Sequence, residues 1–454
     1  MKRNLFYFLS SFLLLFTWGT SFARITNLDG SWEGKIMINP ETGLRLVLNI
    51  MGSGSDKPEV SMDSPDQVAY GIPMQIDFIS NDSLNVSASR LALRYKGKLK
   101  EDSIKGEFSQ GFLNLPLILK PKTTSLNRPQ TPQPPFPYKT EEVTFKSDLD
   151  NAELYGTLSL PDGDLSNAPV VLMISGSGTQ NRDEEIFEHK PFAVIADYLA
   201  RNGIASLRYD DRGFDNSTNL QPNSTTFDNA MDASGGIKFL KEKGFSKIGI
   251  IGHSEGGLIA DLISNENDLV DFIVELGGPA VAGDKILIYQ NEFLLRDGGL
   301  PEEYISLYID AMKGVFESQK GNDAKPFVES DYVLFSQQNL SNPVLAPLTK
   351  NLKDNFYNPA PWIKYFINYD PISDIKNISV PVFMIYGEND TQVPPSINVP
   401  VLLENVPGIN VKIYPGLNHL LQNSVTGKVN EYAEIEETIS PEVLEDIKTF
   451  IINN

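Results

Sequence analysis

From Gly30 to about Lys120 apolar and polar residues alternate in short runs: Trp32-Glu-Gly-Lys-Ile-Met-Ile38, Leu44-Arg-Leu-Val-Leu-Asn-Ile50, Leu91-Ala-Leu-Arg-Tyr95 and Leu113-Asn-Leu-Pro-Leu-Ile-Leu119. Turn-forming clusters such as Gly52-Ser-Gly-Ser-Asp-Lys-Pro58 and Lys100-Glu-Asp-Ser103 separate them. A two-residue period places apolar side chains on one face of a strand, so this stretch predicts a small all-β barrel or sandwich over residues 24–120. Prolines 129, 132, 134, 135 and 137 then predict a stiff, extended linker over residues 121–140.

Beyond Glu141 the period changes. Apolar runs rich in β-branched residues, such as Pro169–Ser175, Ile204–Tyr209 and Lys247–Gly252, alternate with amphipathic stretches of helical length. That alternation predicts an α/β core with a mostly parallel sheet and helices on both faces, over residues 141–282 and 371–454. Between them, residues 283–370 carry Tyr304, Tyr308, Phe316, Trp362, Tyr365 and Phe366, mostly at helix-like spacing. The stretch is too long for an ordinary loop and predicts a helical cap insertion.

Two further features bound the class. Lys2 and Arg3, the apolar run Leu5–Trp18 and the small residues Ser21 and Ala23 describe a secretory signal peptide over residues 1–23, cleaved after Ala23. An uncleaved anchor is the competing reading, but the run is shorter than the roughly 20 residues a span requires. An exported, periplasmic location is expected, with no membrane span in the mature chain. The 454 residues hold 38 Lys+Arg against 59 Asp+Glu, a net charge of -21, which argues against nucleic acid as a partner. With no cysteine and only 3 histidines, there is no thiolate chemistry and little room for a zinc site. Neither a metal nor an organic cofactor is expected.

The candidate chemistry starts at Gly252-His-Ser-Glu-Gly256, a G-x-S-x-G string where an apolar strand meets a helix start. A sharp turn at that place lifts a serine hydroxyl clear of the sheet, and the helix N-terminus favours an oxyanion beside it. Ser254 as nucleophile needs a base. His419, after a short downstream strand, is preferred; His189 reads as structural, and His253, adjacent to the serine, as packing. Asp390, in the loop Tyr386-Gly-Glu-Asn-Asp390, is preferred as the orienting acid, with Glu388 competing from the same loop. The chain order Ser254, Asp390, His419 fits an α/β-hydrolase fold. The loop Gly176-Ser-Gly178 suits the second half of an oxyanion hole, so the expected donors are the N–H groups of Ser177 and Glu255. Neither the spacing of a dinucleotide loop nor the Lys of a P-loop is present.

Three strings, Gly176-Ser-Gly-Thr-Gln-Asn-Arg-Asp183, Arg208-Tyr-Asp-Asp-Arg-Gly213 and Gly252-His-Ser-Glu-Gly-Gly257, resemble the α/β-hydrolase superfamily. Within it they resemble exported bacterial carboxylesterases, similar to serine aminopeptidase-like hydrolases, some with a β-rich N-terminal module. The resemblance covers about Thr140 to the C-terminus. It implies hydrolysis of small-molecule, short-chain acyl esters by Ser254, Asp390 and His419, with a cap between the sixth and seventh strands. Arg182, Asp183, Asp211 and Arg212 also match, and read as an ion-pair set bracing the loops. Ser175 stands where many lipases carry histidine.

Two alternatives remain open at this level. A peptidase on the same fold needs a carboxylate pair to hold an α-ammonium, for which Glu302, Glu303, Asp310, Glu329 and Asp331 are available in the insertion. A non-catalytic binding protein would keep the fold without activating the serine. Oligomeric state and natural substrate are not encoded in any motif.

Overall fold

A computed structural model describes all residues except 1–27, 38–42, 56, 65–68, 111–112, 123–125, 164, 166–167, 215–216, 218–223, 267, 321–341, 343 and 358. The expected signal peptide and its cleavage site lie outside the described residues, as do Glu329 and Asp331. The chain divides into two compact units at Ser125/Leu126.

Among its described residues the first unit is a sheet of nine antiparallel strands, from Gly30–Met37 (β1) to Leu113–Pro121 (β9), with β1 and β9 paired side by side. Its edge strands, Ala69–Pro73 (β4) and Gln75–Ile79 (β5), are consecutive in the chain. The N–H of Met74 between them bonds the Val60 carbonyl (2.9 Å), which draws the two edges together and curls the sheet towards a barrel. The alternation turns Trp32, Leu48, Tyr95, Phe108 and Leu117 inward. The buried polar tips are satisfied: Trp32 Nε1 donates to the Leu28 carbonyl (2.7 Å) and Tyr95 Oη to that of Ile104 (3.1 Å).

The second unit is built on eight strands among the described residues: Lys139–Lys146 (β10), Glu153–Leu160 (β11), Val170–Ile174 (β12), Ala205–Tyr209 (β13), Ile248–His253 (β14), Phe272–Leu276 (β15), Val382–Gly387 (β16) and Asn410–Tyr414 (β17). They lie side by side in the order β10-β11-β13-β12-β14-β15-β16-β17. The pairs β10/β11 and β11/β13 are antiparallel and the rest parallel. Burial on both faces explains why β12 reads as a continuous apolar run. Val170, Leu172 and Ile174 pack under helices Thr226–Glu242 (α2) and Glu255–Glu266 (α3). Val171 and Met173 face helix Pro191–Arg201 (α1) and the C-terminal helix Pro441–Asn453.

Between β15 and β16, which are neighbours in the sheet, the chain leaves to form helices Gly283–Asp297 (α4), Glu302–Gln319 (α5), Leu345–Leu352 (α6) and Pro361–Asn368 (α7). Tyr308, Met312, Phe316, Leu352 and Phe356 give this insert a core of its own. Its two ends meet, the Gly283 N–H bonding the Tyr369 carbonyl (3.1 Å).

The proline-rich stretch, expected as a stiff, extended linker over residues 121–140, is pinned by its side chains. Its residues from Leu126 onward belong to the second unit. The Arg128 guanidinium donates to the carbonyls of Phe187, Ala433 and Ile435, and Gln130 reaches Thr438 and Ile439. Apart from one turn, in which the Thr131 N–H bonds the Arg128 carbonyl (3.0 Å), the extended backbone leaves its polar side chains to pin it along a neighbouring surface. Among the described residues no helix is long and apolar enough to cross a membrane.

Candidate active site

Strand β14 ends at His253 and α3 begins at Glu255, leaving Ser254 alone in the turn at φ 53°. A side chain in the left-handed region is strained and persists only where its surroundings fix it. Here the Ser254 N–H bonds the Leu276 carbonyl (2.8 Å), and the Gly257 N–H bonds the Ser254 carbonyl (2.9 Å). The flanking glycines are steric requirements. A Cβ on Gly252 would stand 2.2 Å from the Gly256 carbonyl oxygen, and one on Gly256 2.1 Å from that of Ile174.

Asp390 follows β16 and His419 follows β17, so two adjacent strand ends deliver them to one place. His419 Nδ1 and Asp390 Oδ2 are 2.7 Å apart, in a pair that is 4% and 3% exposed. The other carboxylate oxygen, Oδ1, accepts the N–H groups of Gln392 and Val393 (2.8 Å each). Glu388, the competing acid, is exposed and, among the described residues, takes only the Gly416 N–H. The imidazole rests on Gly277, whose Cβ, were there one, would be 3.1 Å from Cε1 and Nδ1. Ser254 and His419 thus meet through consecutive residues, Leu276 and Gly277. The structure does not form a hydrogen bond between the Ser254 hydroxyl and His419; such bonds often tighten only with substrate present.

Gly176 approaches the serine from β12, with a Cβ there standing 3.1 Å from Ser254 Cβ. Among the described residues the N–H groups of Ser177 and Glu255 have no acceptor, while that of Gly176 is taken by Glu184 Oε1 (2.7 Å). The Glu255 carboxylate is itself buried, with Oε1 accepting the Thr226 hydroxyl (2.6 Å) and the Trp362 indole N–H (2.8 Å). A second tie, Gln290 Nε2 to the Gln392 carbonyl (3.1 Å), joins α4 to the Asp390 loop.

The remaining histidines are both buried. His189 contacts Thr438 Oγ1 (2.9 Å) and the Tyr432 carbonyl (3.0 Å), and burial pushes it down to about 4. His253 does more than pack: Nδ1 lies 2.7 Å from Glu184 Oε1 and Nε2 3.1 Å from the His419 carbonyl. Sequence reasoning missed Glu184, which stands 69 positions upstream in a loop with no periodicity to mark it. Arg182, Asp183, Asp211 and Arg212 brace loops, but none of the four pairs with another of them; two of their ion pairs link the Gly176–Asp183 and Arg208–Gly213 strings. Arg182 binds Asp210 and Glu142, Asp183 binds Arg208, and Arg212 binds Asp150 and Asp232. Asp211 accepts the Ser175 hydroxyl and the Gln180 N–H. Of the insert's acids, Glu302, Glu303 and Asp310 are all exposed. Among the described residues no cluster of side chains could hold a metal ion.

The serine turn follows the fifth strand of the second unit, and the acid and imidazole follow the seventh and eighth. The second strand alone of the central ones runs against its neighbours. This is an α/β-hydrolase fold. No family model matches the sequence. Esterase EstD of Thermotoga maritima is 26% identical over 293 residues, covering 63% of this chain. The chain spans only 62% of the length of that curated relative. Among solved structures, an esterase of Pyrococcus furiosus is 17% identical, with 73% of this chain and 98% of that one covered at a TM-score of 0.43. A proline iminopeptidase of Mycobacterium smegmatis is 15% identical, with 69% and 98% covered, also at 0.43. Beside the strand order these last two likenesses carry no weight.

Proposed function

We propose that this chain is a carboxylesterase, a serine hydrolase acting on short-chain acyl esters with no cofactor. The observation that carries the reading is the buried His419–Asp390 pair beside a serine held at positive φ. The name of the Thermotoga maritima relative supports the same class. In this reading His419 Nε2 accepts the Ser254 proton as Oγ attacks the ester carbonyl. The N–H groups of Ser177 and Glu255 hold the resulting oxyanion. Collapse breaks the acyl–oxygen bond, and His419 hands its proton to the departing alkoxide. Water then attacks the acyl-enzyme with His419 again as base, releasing the acid and restoring Ser254. Asp390 keeps the proton on Nδ1, leaving Nε2 to act as base.

The test compares p-nitrophenyl acetate with an aminoacyl anilide, using the full chain and Ser254→Ala. Ester turnover that Ser254→Ala abolishes in a folded protein is expected. Turnover surviving that substitution, or preference for the anilide, overturns the reading. We also propose export with cleavage after Ala23, for which N-terminal sequencing of protein recovered outside the cytoplasm is the check.

A further inference from the structure

His253 has an acceptor on each ring nitrogen: a carboxylate oxygen at Nδ1 and a backbone carbonyl at Nε2. Neither acceptor carries a proton of its own when Glu184 is ionised, so both contacts are hydrogen bonds only if the ring is a doubly protonated imidazolium. Burial pulls His253 down, but the charge and hydrogen bond of Glu184, together with the His419 carbonyl and the Asp390 charge, outweigh it and leave the ring above its ordinary value. His253 and Glu184 are almost wholly shielded from water, where a charge-assisted bond is at its strongest.

The partners of this pair matter more than the pair itself. Glu184 Oε1 also accepts the Gly176 N–H, fixing the loop that carries Ser177. His253 precedes Ser254 in the chain, and its Nε2 holds the backbone of His419, whose ring stands 4.8 Å from its own. We propose that the His253–Glu184 pair is a positioning clamp that sets the oxyanion loop, the nucleophile turn and the His419 loop at one mutual spacing. The inference rests on the hydrolase reading and adds to it two residues that touch no reacting atom. Such a clamp acts on the approach to the transition state. Displacement of about 1 Å in reacting groups can cost 100-fold in rate without altering the surfaces that hold substrate.

The experiment measures kcat and KM on p-nitrophenyl acetate, with fluorophosphonate labelling of Ser254 as a second readout, for Glu184→Ala, Glu184→Gln and His253→Ala. The clamp predicts a fall in kcat of about 10- to 100-fold for both alanine variants, with KM within about threefold and labelling slowed in step. Glu184→Gln keeps an acceptor oxygen for the Gly176 N–H but removes the charge that holds the second proton on His253, so it should recover only part of the loss. If an alanine variant loses its cooperative melt, Glu184→Asp, shorter by one methylene, decides. A folded Glu184→Asp at wild-type kcat overturns the proposal, as does wild-type kcat in the alanine variants. An effect confined to KM also overturns it. Activity that persists in Ser254→Ala sinks the hydrolase reading instead, so the two failures are distinct.

Discussion

The indole N–H of Trp362 donates a 2.8 Å hydrogen bond to Oε1 of Glu255, the residue that follows Ser254. The same oxygen takes the Thr226 hydroxyl from the first turn of α2. One carboxylate oxygen therefore registers an insert helix against the Ser254 turn. Hydrogen bonds to charged groups contribute more than neutral ones, because a buried ion that loses a donor is not resolvated.

Trp362→Phe keeps the ring and deletes the donor. It should cost about 1.5–3 kcal/mol of stability, read as a lower urea midpoint at unchanged slope. An unchanged midpoint would show that the indole contact contributes nothing to seating the insert.

Gly256→Ala and Gly314→Ala should act with opposite signs. The first forces a methyl to within 2.1 Å of the Ile174 carbonyl and should cost about 3 kcal/mol or more, since backbone on both sides cannot yield. The second lies in the exposed middle of α5 with nothing near its Cβ and should gain roughly 0.5–1 kcal/mol. Chemical denaturation of both, side by side, is the check.

Glu275 and Asp261 are buried together on β15 and α3, and none of their four carboxylate oxygens has a hydrogen-bond partner. Burial lifts Glu275 to about 8, and burial and the neighbouring charge of Glu275 lift Asp261. The native state thus keeps a proton that the unfolded chain releases near the ordinary glutamate value of 4.5. Stability from this group is complete below that value and is lost as pH rises towards about 8, by on the order of 1 kcal/mol per pH unit. Glu275→Gln should lessen the decline between pH 5 and 8 without abolishing it, because burial still lifts Asp261, as measured by denaturant midpoints across that range. A parallel decline in the variant would place its origin elsewhere.

Asp390→Asn should lower kcat by about 10⁴-fold, because an amide can no longer hold the proton on Nδ1. Glu388→Gln, two residues away on an exposed side chain, should stay within twofold. Steady-state rates on one ester distinguish the two carboxylates that the sequence leaves in competition.

What could be read from the sequence was local. Gly252 and Gly256 announce the turn because their steric needs are met by neighbours four residues apart and by the adjoining strand. The apolar runs announce buried strands, and the spacing of Tyr304, Tyr308 and Phe316 announces helices, since each period is a property of its own element. Asp390 and Glu388 share a loop, and only the course of the backbone after β16 turns one inward. Glu184 lies 69 positions from His253, Glu255 107 from Trp362, and Ala433 and Ile435 over 300 from Arg128. No short-range pattern encodes a contact made by the arrival of another strand or loop.

Because Gly283 and Tyr369 touch, the intervening segment departs from and rejoins the sheet at a single seam, and β15 pairs with β16 as if nothing stood between them. A lineage could lengthen, trim or exchange that segment wholesale while the strands carrying Ser254, Asp390 and His419 stay in register. On the hydrolase reading proposed above, selectivity would then drift at a pace set by the graft, with the proposed chemistry left untouched.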